Sequence, residues 1–191
     1  MCHAARLFDT TLEGRSCHVV LTMRLPRVSP SASASGLADR RDRSGAYWIT
    51  LCTQSRRPLF GSLNAGAIDL SPAGRIVQQE WLRTTRHRSG LELDCFVIMP
   101  DRLQAILWVA EKPESWAERV TGRRRRAGTL ASILDGFKIA GTAQIRLLLD
   151  DPVLQVWQPS YYEHVIRDEA RLGRVRRHIQ ENRVRWCPEK G

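Results

Sequence analysis

Residues Val97–Val109, VIMPDRLQAILWV, read as an apolar strand interrupted at Met99-Pro100-Asp101 and resumed as a second apolar strand. Successive strand side chains point to opposite faces. Arg102 and Gln104 therefore share one face, and Leu103 and Ala105 the other. Two polar side chains at i and i+2 on a central strand mark a candidate site. The structural alternative is a polar edge on a half-buried hairpin.

Working outward from that hairpin (Leu91–Met99 with Leu103–Val109), Ala46–Thr53, AYWITLCT, is rich in aromatic and β-branched residues and reads as the first strand. Gln54–Pro58 is a turn that places Arg56 and Arg57 at a strand end. Leu59–Leu70 reads as irregular. Ser71-Pro72 supplies an N-cap followed by Pro at the first helical position, and a helix runs on to about Thr85. Ile76, Val77, Trp81 and Leu82 form its apolar face, and Gln78, Gln79 and Glu80 its exposed one. A second long helix spans Thr129–Leu149, with Leu130, Ile133, Leu134, Phe137, Ile145, Leu148 and Leu149 at helical spacing, and ends at Asp150-Asp151-Pro152. Val153–Gln158 reads as the last, edge-type strand. Asp168 caps a final helix reaching about Asn182, with Leu172, Val175 and Ile179 inward and Arg171, Arg174, Arg176, Arg177, Arg183 and Arg185 giving a basic surface.

A chain of 191 residues with 42% hydrophobic content and six Trp is long enough for one domain with a proper core. Its formal charge is +10, with 30 Lys+Arg, nearly all of them Arg, and its pI is about 10.2. Arg suits phosphate and base stacking because its planar fork binds bidentately. The balance points first to nucleic acid. The run Arg123-Arg124-Arg125-Arg126 lies in a long surface connection, Glu111–Gly128, where like charges either stay solvated or order on a polyanion. Five scattered cysteines show no metal-binding spacing and suit a reducing cytoplasm. No stretch has the length of a transmembrane helix or the apolar core of a signal peptide, so the expectation is a soluble cytoplasmic protein. Residues 1–38 read as a largely flexible N-terminal extension ending in the linker PRVSPSASASG, and 39–191 as the folded domain.

Ser44–Gly61 (SGAYWITLCTQSRRPLFG), the segment LDCFVIMPDRLQAIL and the late stretch VWQPSYYEHVIRDEARL resemble the IS200-like tyrosine transposases, in the branch associated with repetitive extragenic palindromes. The resemblance covers roughly Asp39 to Trp186. It implies an α+β fold: a ferredoxin-like antiparallel sheet packed with two long helices plus a C-terminal helix. It also implies a metal-binding His-hydrophobic-His pair on a central strand and a tyrosine on a C-terminal helix that attacks single-stranded DNA. Here the sequence departs from the pattern. Where the family reads Asn-His-Leu-His, this chain reads Asp101-Arg102-Leu103-Gln104, and where it reads Tyr-Ile-x-x-Asn-Pro, this chain reads His178-Ile179-Gln180-Glu181-Asn182-Arg183. Of the family's catalytic and metal positions, Arg102, Gln104, His178 and Asn182, only Asn182 is kept. Phe137-Lys138 matches a pair that lies near DNA in the family.

An imidazole pair can hold a divalent ion, whereas a guanidinium is cationic and has no lone pair to offer, and a Gln oxygen is a weak neutral ligand. The expectation is therefore a DNA-binding protein for hairpin or single-stranded DNA of repetitive palindromic elements, with cleavage and strand transfer lost and no cofactor. Arg56, Arg57, Arg102, Arg123–Arg126, Lys138, Arg174 and Arg177 would hold the strand, and Tyr161 and Tyr162 would stack on unpaired bases. The alternative is an active Mg²⁺- or Mn²⁺-dependent nuclease or transposase using Asn182, His164, His178 and an acid such as Asp101 or Glu163. RNA in place of DNA stays open, as does a monomer or a homodimer.

Overall fold

A computed structural model describes residues 45–64, 67–86, 88, 90–110 and 130–185. Four strands, β1 (Gly45–Cys52), β4 (Leu91–Met99), β5 (Arg102–Val109) and β6 (Tyr162–Ile166), form one sheet in the order β4-β5-β1-β6. Every neighbouring pair is antiparallel. Helices α1 (Pro72–Arg86) and α2 (Leu130–Leu149) contribute to the core on one face, and α3 (Glu169–Arg185) covers the other. The fold is the α+β arrangement expected, with three helices on an antiparallel sheet. The N-terminal extension and the Arg123–Arg126 run lie outside the described residues.

Strand alternation divides the core in two. Tyr47, Ile49, Leu51, Leu103, Ala105 and Leu107 face α1 and α2, whereas Ala46, Cys95, Val97, Met99 and Ile106 face α3. The first core is organised by a row of rings. Trp81 of α1 meets Phe137 of α2 at 4.9 Å, Phe137 meets Trp157 at 5.5 Å, and Trp157 meets Phe60 at 5.0 Å between centroids. Edge-to-face and tilted pairs of this kind add about 1 kcal/mol each beyond the area they bury.

Local signals in the sequence set the helix ends. Ser71 Oγ accepts from Gly74 N at 3.0 Å and donates to Leu59 O at 2.7 Å, tying the start of α1 to the preceding turn. Gly74 permits this approach, since a Cβ there would lie 2.0 Å from the Phe60 carbonyl oxygen. Asp150 (φ 51°) ends α2 in the left-handed region. Asp168 Oδ1 accepts from Arg171 N at 2.7 Å, capping α3, whose inward residues Leu172, Val175 and Ile179 are buried as the spacing implies.

Four expectations change. Leu59–Leu70 contains a hairpin, β2 (Gly61–Asn64) with β3 (Ala67–Leu70), whose strands are too short to show a period. Val153–Gln158 makes only an isolated bridge, Thr53 to Trp157, and the edge strand is Tyr162–Ile166. The segment between Pro152 and Pro159 is ruled by Trp157 packing into the core. Glu80 is buried, because it bridges the helices: Gln144 Nε2 donates to Glu80 Oε1 at 2.8 Å, and Arg83 ion-pairs with it at 3.5 Å. Leu148 and Leu149 are exposed beyond the last turn that touches the sheet layer.

One irregularity fixes α3 on the sheet. In the β4–β5 ladder Leu93 pairs with Leu107 and Cys95 with Ile106, so Asp94 is an extra residue, a β-bulge. The bulge sends Asp94 and Cys95 to the α3 face together. Asp94, 4% exposed, accepts from Arg176 Nε at 2.8 Å, from Arg176 Nη2 at 2.5 Å and from Trp108 Nε1 at 3.1 Å. Burial, with Asp94 alongside, pushes the Cys95 thiol up to about 12.

Asp94→Ala removes one partner of a largely buried pair, which costs about 3–5 kcal/mol when the remaining charge is fully enclosed. Arg176 is 34% exposed in its side chain, so a loss nearer ~2 kcal/mol is expected in urea unfolding. Asp94→Ala/Arg176→Ala should cost less than the two single changes summed. Site-resolved alkylation at pH 8 should leave Cys95 unlabelled until urea unfolds the chain, since almost none of its thiol is ionised there.

Candidate nucleic-acid interface

The α3 face of the sheet gathers the polar positions singled out in the hairpin. Gln104 sits opposite Thr50 in the β1–β5 register, and Arg102 opposite Cys52. α3 lays His178 and Asn182 over them, one helical turn apart. Asn182 Nδ2 donates to Gln104 Oε1 at 2.7 Å, and Gln104 Nε2 approaches Thr50 Oγ1 at 3.4 Å. Asn182 Nδ2 also lies 2.8 Å from His178 Nε2. An amide nitrogen only donates, so Nε2 accepts and the ring proton sits on Nδ1. Positions 102 and 104 on β5, and 178 and 182 on α3, thus converge on one site, far apart in sequence though they are.

Arg102 is held at the mouth of this site. Asp101, 4% exposed, receives its Nε at 2.9 Å and its Nη2 at 3.1 Å, and Arg56 Nη1 lies 3.4 Å from the same carboxylate. Arg56 Nη1 also donates to Cys52 Sγ at 3.0 Å. Ser55 and Arg56 carry φ of 54° and 55°, a left-handed conformation that non-glycine residues adopt only where packing imposes it. Arg57 is exposed beside them, and Arg174 and Arg177 are exposed on α3.

The divalent ion implied by the family resemblance does not fit this donor set. Arg102 offers a positive charge where a ligand is needed, and Gln104 Oε1 is engaged by Asn182. Asp101 is committed to two guanidinium groups. Among the described residues no three His, Cys, Asp or Glu side chains gather closely enough to hold a metal. Glu163 pairs with Ile49 in the β1–β6 register and His164 with Trp48, so the two point to opposite faces.

Not every expected contact falls here. Tyr162 is half exposed on the α3 side of β6, but Tyr161 packs against the first core. Lys138 lies 5.7 Å from the Tyr161 ring centroid, and its Nζ donates to Gln158 O at 2.9 Å and Pro159 O at 3.3 Å. Burial holds its pKa below the usual lysine range. Trp48, which the sequence marks only as part of a strand, belongs to the site. Its ring centroid is 5.4 Å from that of Tyr162 and 5.3 Å from that of His178, edge-on to both. Its alternation with Tyr47 and Ile49 on β1 is the signal in the sequence that points to it.

No family model matches the sequence. A solved REP-associated tyrosine transposase bound to a REP hairpin has a similar fold, with TM-score 0.52 and 16% identity, over 78% of this chain and 72% of that one. A candidate transposase of Deinococcus radiodurans is a more distant likeness, with TM-score 0.39 and 14% identity, over 77% of this chain and 97% of that one. In sequence, an uncharacterized protein of Haemophilus influenzae is 30% identical over 149 residues, 74% of this chain and 82% of the relative. On that match the chain belongs to the family of the Haemophilus influenzae protein, on a fold it shares with the REP-associated transposase.

Proposed function

We propose that this protein binds hairpin or single-stranded DNA of palindromic elements on the α3 face of its sheet and does not cut it. The observation that carries this reading is the series of hydrogen bonds at the site's centre. Asn182 Nδ2 is shared between Gln104 Oε1 and His178 Nε2, and Gln104 Nε2 turns to Thr50 Oγ1. A nucleophile needs a lone pair directed at phosphorus. That of His178 Nε2 is engaged by Asn182. Phosphate binding asks less: Arg102, oriented by Asp101, places a planar cation at the mouth of the site, and Arg56, Arg57, Arg174 and Arg177 extend the positive surface. The solved relative in fold is bound to a REP hairpin, which supports the choice of ligand. The net charge of +10 supports it independently.

In a mobility-shift assay with labelled palindromic hairpins, the protein should shift the DNA with and without Mg²⁺ or Mn²⁺ and leave it intact on a denaturing gel. A nick or a covalent adduct abolished in His178→Ala would replace this reading with the enzymatic one, and binding no tighter than that of an equally basic control would remove DNA as the partner. Replacing Arg123–Arg126 by Ala should flatten the plot of log affinity against log salt by roughly 0.7 for each single-strand phosphate that the run neutralises.

Because positions 102, 104 and 178 already converge, Arg102→His/Gln104→His/His178→Tyr tests the scaffold itself. The triple variant should gain Mn²⁺-dependent nicking with a covalent protein–DNA adduct. A variant that folds and binds DNA but forms no adduct would show that more than these three side chains separates this site from a cutting one.

A further inference from the structure

Resting on the nucleic-acid reading, we propose that Trp48, Tyr162 and His178 form a cradle for one unpaired base of the bound strand. The three rings come from β1, β6 and α3, so the cradle exists only in the folded domain. Tyr162 and His178 stand at 74° and 73° to the Trp48 plane, with centroids 5.4 Å and 5.3 Å from it. Two rings standing nearly upright on one indole leave ring surface directed outward. Tyr162 is 50% exposed, the most open residue of its strand, and His178 is exposed too.

The rings are held where they stand. The Tyr162 backbone is paired opposite Thr50 in the sheet. Asn182 fixes the His178 ring through Nε2 at 2.8 Å. Trp48 Nε1 has no hydrogen-bond partner among the described residues, so the indole is placed by ring contacts and by packing against the second core. A base entering here breaks no polar contact of the indole. It meets fixed aromatic surface, whose ordering entropy folding has already supplied.

The cations are arranged to match. Arg174 is exposed one turn before His178 on the same helical stripe. Arg102 lies at the other end of the site, opposite Cys52, four residues along β1 from Trp48, a span of about 13 Å at the rise of a strand. A strand crossing the sheet between these guanidinium groups lays a base on the rings while its phosphates meet charge. Stacking of this kind tolerates any base, because every base has a π-face. The cradle therefore selects for an unpaired nucleotide and not for a sequence.

The test uses the full chain and hairpins carrying a single-stranded flank, with an abasic residue moved one position at a time along the flank. One position should weaken binding by roughly five-fold or more, with its neighbours nearly silent. Placing 2-aminopurine there should give fluorescence quenching on binding. Tyr162→Ala and His178→Ala should each erase the difference between intact and abasic flanks, whereas Tyr162→Phe and His178→Phe should keep it. Affinities unchanged by an abasic residue at every flank position would overturn the cradle, and that measurement needs no variant to fold. So would alanine variants that still discriminate. In either case continued hairpin binding would leave the DNA reading standing. Failure of the wild-type protein to bind any hairpin better than a basic control overturns that reading and this proposal with it.

Discussion

The bidentate contact between Asp94 and Arg176 is the constraint on which the rest of the candidate site depends. α3 is a polar helix with only a narrow apolar stripe, Leu172, Val175 and Ile179, and a stripe alone permits a helix to slide or roll by part of a turn. The bulge in β4 prevents this by turning a buried carboxylate toward the helix, where the planar guanidinium accepts one geometry and not its neighbours. Arg176 lies two residues before His178 and six before Asn182. Fixing its azimuth and height fixes theirs, and the 2.7 Å bond from Asn182 to Gln104 is the local result.

Chemically, the centre of the site is a hydrogen-bonded series from β1 across β5 to α3. Donation spreads from the Asn182 amide nitrogen, to Gln104 and on to Thr50 on one side and to His178 Nε2 on the other, and the carboxylate nearest the mouth is shared by two arginines. Such a site is held in place by its own hydrogen bonds and carries positive charge, with the His178 Nε2 lone pair engaged by Asn182. Rigidity and charge are what holding a polyanionic strand requires, whereas attack on phosphorus requires an unengaged nucleophile.

Much of this was legible in the sequence. The alternation around Met99-Pro100-Asp101 gave the central hairpin and the shared face of Arg102 and Gln104. Ser71-Pro72 and Asp168 gave two helix starts, because capping is a local event. The pairing of His178 and Asn182 with β5 was reachable only through likeness to a family, since no local rule relates residues about 80 positions apart. The bulge at Asp94 was hidden because a single extra residue does not disturb an apolar run that is buried on both faces. Glu80 misled because its partner, Gln144, lies on another helix, and the neighbours Tyr161 and Tyr162 part company where β6 begins, the first packing on the first core and the second opening on the α3 side. Trp48 was legible as a strand former and nothing more, since its value comes from rings on two other elements.

Neither core cluster includes Arg102, Gln104, His178 or Asn182. The architecture is maintained by Leu, Ile, Val and aromatic side chains beneath them and by the Asp94–Arg176 contact beside them. His178, exposed on α3, can be exchanged at little cost to folding, whereas Gln104, 5% exposed and hydrogen-bonded to Asn182, can be replaced only by a side chain that leaves its neighbours a partner. What such a site does is decided by a few side chains at the edge of the interior and not by the fold that carries them.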